Sequence, residues 1–424
     1  MAGRLPAHKA AKLGHKKSRN GCQKWLECIW ADMASRGPTS STSVDKSPRT
    51  QSSHASPTVS IDQPQADVSH HDFGWFRLRP PGTPESLSRW YPQSDTTMDK
   101  DEDIPESKER RLLEHRLMQN YLFNLSQPFP VPPGPEWKDL WTRRIPQLAL
   151  EYDNLLNAVM ASSATHLLRS EPDNSHLFAA RQRYMVASFR DQRKMVETMT
   201  PQSADAVCYA AVIVLVTAFA MLQERELEPY APPVAWLQMG RGAATVIWMS
   251  VQKIMKSGNP EKSDLITISM SFPKLGTDES YFDASFRANF VGILTQQLPS
   301  GDHWDDETRD AYERTLSYVG SIQSAIDHGE PTYVICRRLH GFPMVMPPKF
   351  IDFVAEKRPR ALVILAHYFA MAAQVKGVWW LENDSRGSHT IPQREIGAIN
   401  SIIPDQWRGQ MMWPLEMASL QLRS

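Results

Sequence analysis

The sequence predicts an all-α protein, a multi-helix domain that follows an N-terminal region with little capacity to form a core. Apolar residues recur three or four positions apart through most of the chain from residue 107 onward. No alternating apolar and polar run indicates a strand, and no glycine-rich phosphate loop is present. The 32 prolines in 424 residues also indicate that part of the chain does not pack. We therefore predict three regions: a basic segment with two cysteines at 1–30, a disordered Ser/Thr/Pro-rich linker at 31–106, and a helical domain at 107–424.

The first predicted helix has the sequence SKERRLLEHRLMQNYLFNL, residues 107–125. Leu113, Leu117, Tyr121 and Leu125 are four apart and share one face, and Ser107 is a suitable N-cap. The run PFPVPPGP at 128–135 must end this helix because proline removes backbone donors. The same apolar spacing predicts further helices at 148–168, 175–199, 203–223, 234–255, 303–328 and 359–381.

Two of these helices have unusual compositions. AVCYAAVIVLVTAFAML, residues 206–222, carries no charge and falls just short of the length of a membrane span. We interpret it as a buried central helix, with a membrane anchor as the alternative. In the helix at 234–255, Gly240 and Gly242 predict a local loosening.

Net charge is zero with a pI near 7.2, so the overall charge gives no reason to expect a polyanionic partner. The first 24 residues are nevertheless basic, with no acidic residue before Glu27. This segment is either a nuclear-import or phosphate-contacting arm or a solvated terminus. Four cysteines are too few for a disulfide framework in so long a chain, which favours a reducing compartment, and no secretory signal is visible.

The stretch HKKSRNGC at 15–22 resembles the beginning of the fungal binuclear zinc-cluster domain, in which a basic segment precedes the first cysteine ligand. Such clusters need six thiolates, beginning C-x2-C-x6-C. Cys22 occupies the first ligand position, but Trp25 stands where the second cysteine belongs, and after Cys28 the next cysteine is Cys208. We expect this chain as written not to bind the zinc of the family. Either the ligands are lost or the reading frame departs from the true one after Cys22, which sequencing the transcript would decide.

A second resemblance covers roughly residues 107–420. HRLMQNYLFNLS at 115–126, WTRRIPQLALEYDNLLNAVMASSATHLL at 141–168, RPRALVILAHYFAMAAQVKGVWWL at 358–381 and WPLE at 413–416 are similar to the regulatory region of fungal zinc-cluster transcription factors, most closely the sterol-uptake-control subgroup. The resemblance implies a helical, ligand-responsive domain. It implies promoter DNA, a sterol or other apolar ligand, and a second copy of the chain as partners. The length of the apolar run at 206–222 leads us to expect no membrane span. The resemblance also implies a location in the nucleus, or in the cytoplasm until activation.

Candidate site residues follow from these resemblances. Lys16, Lys17 and Arg19 are candidates for phosphate contact, and Cys22 for a metal ligand. Large side chains on apolar helices are candidates for a ligand pocket, with plain core packing as the alternative; they are Met221, Trp236, Trp248, Phe369 and Trp379.

An enzyme is the remaining class. WDDETRD places Asp305, Asp306 and Asp310 at the spacing of a magnesium-diphosphate motif of terpene cyclases. The companion motif fails in NDSRGSHTI, where Gly387 and Ile391 replace its ligands. We therefore interpret the aspartates as the first turn of a helix, where the macrodipole favours acids. His166 and His367 lie in apolar helices without a nucleophile pattern, so we predict no catalytic residue and no enzyme. The function that the resemblance implies is fungal RNA polymerase II transcription regulation, and the alternative is a ligand sensor or interaction module, derived from that family, that does not bind DNA.

Overall fold

The computed structural model describes residues 107–126, 130–269, 279–296, 304–381 and 389–420. The predicted basic segment at 1–30 and the predicted linker at 31–106 lie outside these residues. Within the described ranges the chain forms fourteen α-helices, supplemented by short 3₁₀ and π segments, and no β-strand. The all-α prediction is therefore confirmed.

The helices are numbered in chain order. They are α1 Lys108–Asn120, α2 Pro135–Asp139, α3 Ile145–Ala149, α4 Asp153–Ser170, α5 Ser175–Glu197, α6 Ala204–Ala220, α7 Val234–Met255, α8 Val291–Thr295, α9 Asp306–Asp327, α10 Thr332–Val345, α11 Pro348–Ala355, α12 Pro359–Ala373, α13 Ile391–Ile402 and α14 Arg408–Leu420.

The first predicted helix is confirmed in detail. The Ser107 hydroxyl accepts a hydrogen bond from the Arg110 backbone N–H at 3.1 Å and caps α1. The helix continues as a π-helical turn, Tyr121–Leu125, and then ends before the prolines. Leu117 and Leu125 are almost completely buried, as their shared face predicts.

Helix α6 explains why its sequence is apolar on all sides. Its residues contribute to two hydrophobic cores, one through Val207 and Phe219 and the other through Tyr209 and Ile213. A helix buried on all sides has no polar face. This segment, extended to Glu224, is long and apolar enough to cross a membrane, yet 78% of its most apolar window is buried inside the protein. That burial fits the interpretation as a central helix.

Three predictions about the helices are wrong in detail. The helix predicted at 148–168 is interrupted after Ala149, because the chain turns through Leu150 to Tyr152, whose backbone is extended. The helix predicted at 359–381 ends at Ala373. Helix α7 is continuous and is not loosened at Gly240, because the missing side chain there lets Pro343 of α10 approach: a Cβ atom at Gly240 would lie 2.4 Å from the Pro343 Cβ.

Four unpredicted helices have eight or more residues, namely α10, α11, α13 and α14. Each carries a proline, either within the helix, as Pro343 and Pro414 do, or at its first turn, as Pro348 and Pro392 do. Proline at a first turn costs little because that N–H has no helical partner. These helices pack around α12, which is buried along its whole length.

Candidate ligand-binding site

The five predicted pocket residues do not surround a common cavity in the structure. Trp236 and Phe369 meet in the larger core through Phe219, whose ring lies 5.2 Å from Trp236 and 6.5 Å from Phe369. Met221 is buried in the other core, directly after α6. The two remaining side chains, Trp248 on α7 and Trp379 after α12, are partly exposed.

The aromatic residues around Trp236 are densely packed. Phe342 stacks on Tyr368 with 4.0 Å between ring centroids, and Tyr368 in turn contacts Trp236 at 5.8 Å. The Tyr368 hydroxyl donates a hydrogen bond to the Leu339 carbonyl at 3.1 Å, so its polar atom is satisfied inside the core. This packing favours a structural role for Trp236 and Phe369, and their role in ligand binding stays a prediction.

A cavity of about 500 Å³ lies at a different place, between the 3₁₀ segment Ala284–Phe290, α8, α9, α12 and α14. Its volume falls within the range of small-molecule sites. None of the five predicted residues lines it. The lining combines aromatic and aliphatic walls with amide, imidazole and carboxylate groups, contributed by Asn289, Phe290, Ile293, Gln323, Asp327, His367, Gly409, Gln410 and Trp413.

His367 forms the inner wall of this cavity and is 5% exposed. Its Nδ1 lies 2.9 Å from the Val363 carbonyl oxygen, which can only accept, so Nδ1 carries the proton. Burial lowers the pKa of His367 to about 4, so the ring is neutral at pH 7. Its Nε2 is therefore an unprotonated acceptor, and it has no hydrogen-bond partner within the described part of the chain. The ring lies between Phe290 and Trp413, each with its centroid 5.5 Å away.

Gln323 and Asp327, one turn apart at the end of α9, form another wall. The Gln323 side-chain N–H donates to the Asp327 carboxylate at 2.5 Å. This bond fixes the orientation of the amide and leaves the Gln323 Oε1 buried without a hydrogen-bond partner in the described residues. Asp327 is exposed at the edge of the cavity.

Arg360 holds the wall that α8 provides. Its guanidinium is 1% exposed and donates to the carbonyl oxygens of Leu294 at 2.9 Å and Gln296 at 2.8 Å, and also to that of Ile293. These carbonyls belong to the end of α8, where no helical N–H is available to them. The guanidinium also lies 4.8 Å from the Trp304 ring and 5.1 Å from the Trp407 ring.

The aspartates of WDDETRD behave as the helix-start interpretation predicts. The Asp305 carboxylate caps α9 by accepting from the Thr308 backbone N–H at 2.7 Å, and Asp306 and Glu307 lie in the first turn. Hydrogen bonds from Thr308 and Lys349 lower the pKa of Asp305 to about 2. Asp305 is thus engaged in capping and in an ion pair with Lys349 at 3.2 Å.

Comparison with known proteins identifies the chain's relatives. It is 30% identical over 258 residues to the Zn(2)-C6 fungal-type transcription factor afumD of Aspergillus fumigatus, covering 61% of this chain and 66% of that protein. The chain is thus similar in sequence to fungal Zn(2)-C6 transcription factors. It is also 25% identical over 329 residues to such a factor of Gibberella zeae, covering 73% of this chain and 62% of the relative. The chain thus spans slightly less than two thirds of the length of each of these two relatives.

A more distant relative bears on the subgroup. The chain is 25% identical over 264 residues to sterol uptake control protein 2 of Saccharomyces cerevisiae, covering 59% of this chain and 26% of that protein. This similarity agrees with the resemblance to the sterol-uptake-control subgroup. No protein-family model matches the chain.

The cysteines of the chain do not fit the zinc cluster of this Zn(2)-C6 family. Cys22 and Cys28, with Lys16, Lys17 and Arg19, lie outside the described residues. The other two cysteines, Cys208 on α6 and Cys336 on α10, are separately buried. Burial raises the pKa of both thiols, to about 12 for Cys336, which disfavours the thiolate that zinc requires. No group of three metal-ligating side chains occurs among the described residues.

Sequence reasoning missed most of the cavity. The sequence indicates His367 only as a core histidine, and the WPLE motif does not predict that Trp413 lines a cavity. Gln323, Asn289 and Gln410 are single amides on separate elements, and no local spacing predicts that they converge. Arg360 is a residue whose structural role the sequence does indicate, because an arginine inside the apolar run RPRALVIL needs hydrogen-bonding partners when it is buried.

Proposed function

We propose that the chain regulates RNA polymerase II transcription in a fungus through its helical domain. The observation that carries this proposal is the 30% identity to a Zn(2)-C6 fungal-type transcription factor over 61% of the chain. All the relatives reported above are named as transcription factors or as a control protein, so we expect no enzymatic activity. The nucleus is the expected location, with the cytoplasm as the location before activation.

A tethering experiment tests the regulatory role. The full chain is fused to a foreign DNA-binding module and directed to a promoter that drives a reporter gene in a fungal host. A change in reporter output relative to the foreign module alone supports the proposal, whether it is a rise or a fall. Equal output with and without the chain, at equal protein levels and with nuclear location confirmed, contradicts it.

The ligand of the proposed regulator is an apolar molecule such as a sterol. Support comes from the similarity to the relative named sterol uptake control protein 2. Titration of the full chain with ergosterol, with cholesterol sulfate as a charged comparison, tests this assignment. Saturable micromolar binding of ergosterol is expected. Binding that does not saturate, or that is no stronger than binding to an unrelated helical protein, contradicts it.

The second candidate function is a ligand sensor or interaction module that no longer binds DNA. The incomplete cysteine pattern after Cys22 favours it, because two thiolates near one another cannot hold a two-zinc cluster. Salt-dependent binding of the full chain to duplex DNA distinguishes the two. Weak binding that lacks sequence preference supports the sensor, and Lys16, Lys17 and Arg19 then contribute only phosphate contact. Tight sequence-selective binding supports a complete regulator.

A further inference from the structure

We propose that the cavity beside His367 binds a small planar aromatic amine. This inference adds a ligand class to the ligand-sensing part of the proposed function, on which it rests for its biological role. It concerns a site that none of the predicted pocket residues lines.

Hydrogen-bonding groups in the cavity select for a donor. His367 Nε2 is an acceptor without a partner in the described part of the chain, as derived above. The exposed Asp327 carboxylate is a second acceptor. It lies in the last turn of α9, where the helix macrodipole also favours a cation. A ligand with an N–H or ammonium group satisfies these acceptors.

The same lining disfavours an anion. No lysine or arginine is among the cavity residues that the structure describes. His367 does not supply a positive charge at pH 7, because the ring is neutral in its apolar surroundings. A carboxylate or phosphate ligand would therefore face Asp327 without a compensating charge.

Aromatic walls select for a flat ring. Phe290, His367 and Trp413 all line the cavity, and the His367 ring is stacked on Trp413 at an interplanar angle of 17° and edge-on to Phe290 at 87°. Aromatic faces attract both a second ring and an ammonium group. The volume of about 500 Å³ accommodates a bicyclic compound of this kind.

Two glycines allow a matched test of the site. Gly409 is exposed at the edge of the cavity, and a Cβ atom added there meets no atom within 4 Å. Gly397 on α13 is likewise exposed and helical, has equally open surroundings, and does not line the cavity. Gly409→Phe therefore adds a large side chain at the edge of the cavity, while Gly397→Phe makes the same chemical change elsewhere on the surface.

The experiment is calorimetric titration of the full chain, without DNA, using tryptamine and indole-3-acetate as probes. They share one ring and carry opposite charges. We expect saturable tryptamine binding, weaker by about tenfold or more for indole-3-acetate. Gly409→Phe should weaken tryptamine binding by about tenfold or more, and Gly397→Phe should leave it unchanged. Asp327→Asn should reduce the preference for tryptamine over indole-3-acetate.

Several results would overturn the inference. They are equal binding of the two probes, an unchanged affinity in Gly409→Phe with circular dichroism like that of the unaltered chain, or no tryptamine binding at millimolar concentration. Because these titrations contain no DNA and no reporter, their failure leaves the proposed regulatory function standing. Failure of the tethering experiment removes the regulatory role and leaves the binding result intact.

Discussion

Replacement of Arg360 by methionine should destabilise the protein more than any exposed arginine replacement. Methionine keeps the aliphatic length but removes every donor, so the carbonyls of Ile293, Leu294 and Gln296 lose their charged partner. A hydrogen bond to a charged group contributes about 1.5–3 kcal/mol. Some of these carbonyls regain water because Gln296 is partly exposed. We expect Arg360→Met to lower the free energy of unfolding by about 3–5 kcal/mol.

The assay is urea unfolding followed by tryptophan fluorescence, which reports on Trp304 and Trp407 beside the guanidinium. Arg358→Met is the matched control. Arg358 lies two residues earlier, and its ion pair with Glu356 at 2.6 Å is at the surface, where such pairs contribute about 0–1 kcal/mol. If Arg360→Met shifts the unfolding midpoint no more than Arg358→Met does, Arg360 does not hold the α8 wall.

Two further perturbations follow from the packing and from His367. Gly240→Ala places a Cβ atom 2.4 Å from the Pro343 Cβ and should lower the melting temperature, with a cost of about 1–3 kcal/mol. The control Gly397→Ala, in open surroundings, should raise it slightly; an equal response of both variants would contradict close packing of α7 on α10. Because burial lowers the pKa of His367 to about 4, its stabilising contribution is complete above pH 6.5 and is lost as pH falls toward 4. Urea unfolding across that range should show His367→Phe losing less stability on acidification than the unaltered chain, by up to about 3 kcal/mol, and parallel profiles would refute the assigned protonation state.

The helices that could be predicted are those whose burial is one-sided or complete. Leu117 and Leu125 mark a single face of the first helix, and the uncharged run in α6 marks a helix between two cores. The family resemblance could also be recognised from the sequence, because HKKSRNGC and the run ending in VWWL are specific motifs, which identify a family better than amino-acid composition does.

What could not be predicted depends on contacts between distant segments. Pro343 and Pro414 argue against helices by local rules, yet both lie inside helices that tertiary packing stabilises. Considered within α7 alone, Gly240 predicts a local loosening of the helix. In the folded chain the same glycine allows the close contact with Pro343 of α10. The cavity is assembled from five elements spread over residues 289–413, and only the folded chain brings His367, Gln323 and Trp413 together.

The central claim is that this relative of the Zn(2)-C6 transcription factors carries a helical domain but, as written, no complete zinc cluster after Cys22. The most direct test is the zinc content of the purified full chain, measured by atomic emission after dialysis against zinc-free buffer. We expect well below two zinc ions per chain. Two tightly bound zinc ions per chain would contradict this claim, because they would indicate a complete zinc cluster and therefore a DNA-binding module.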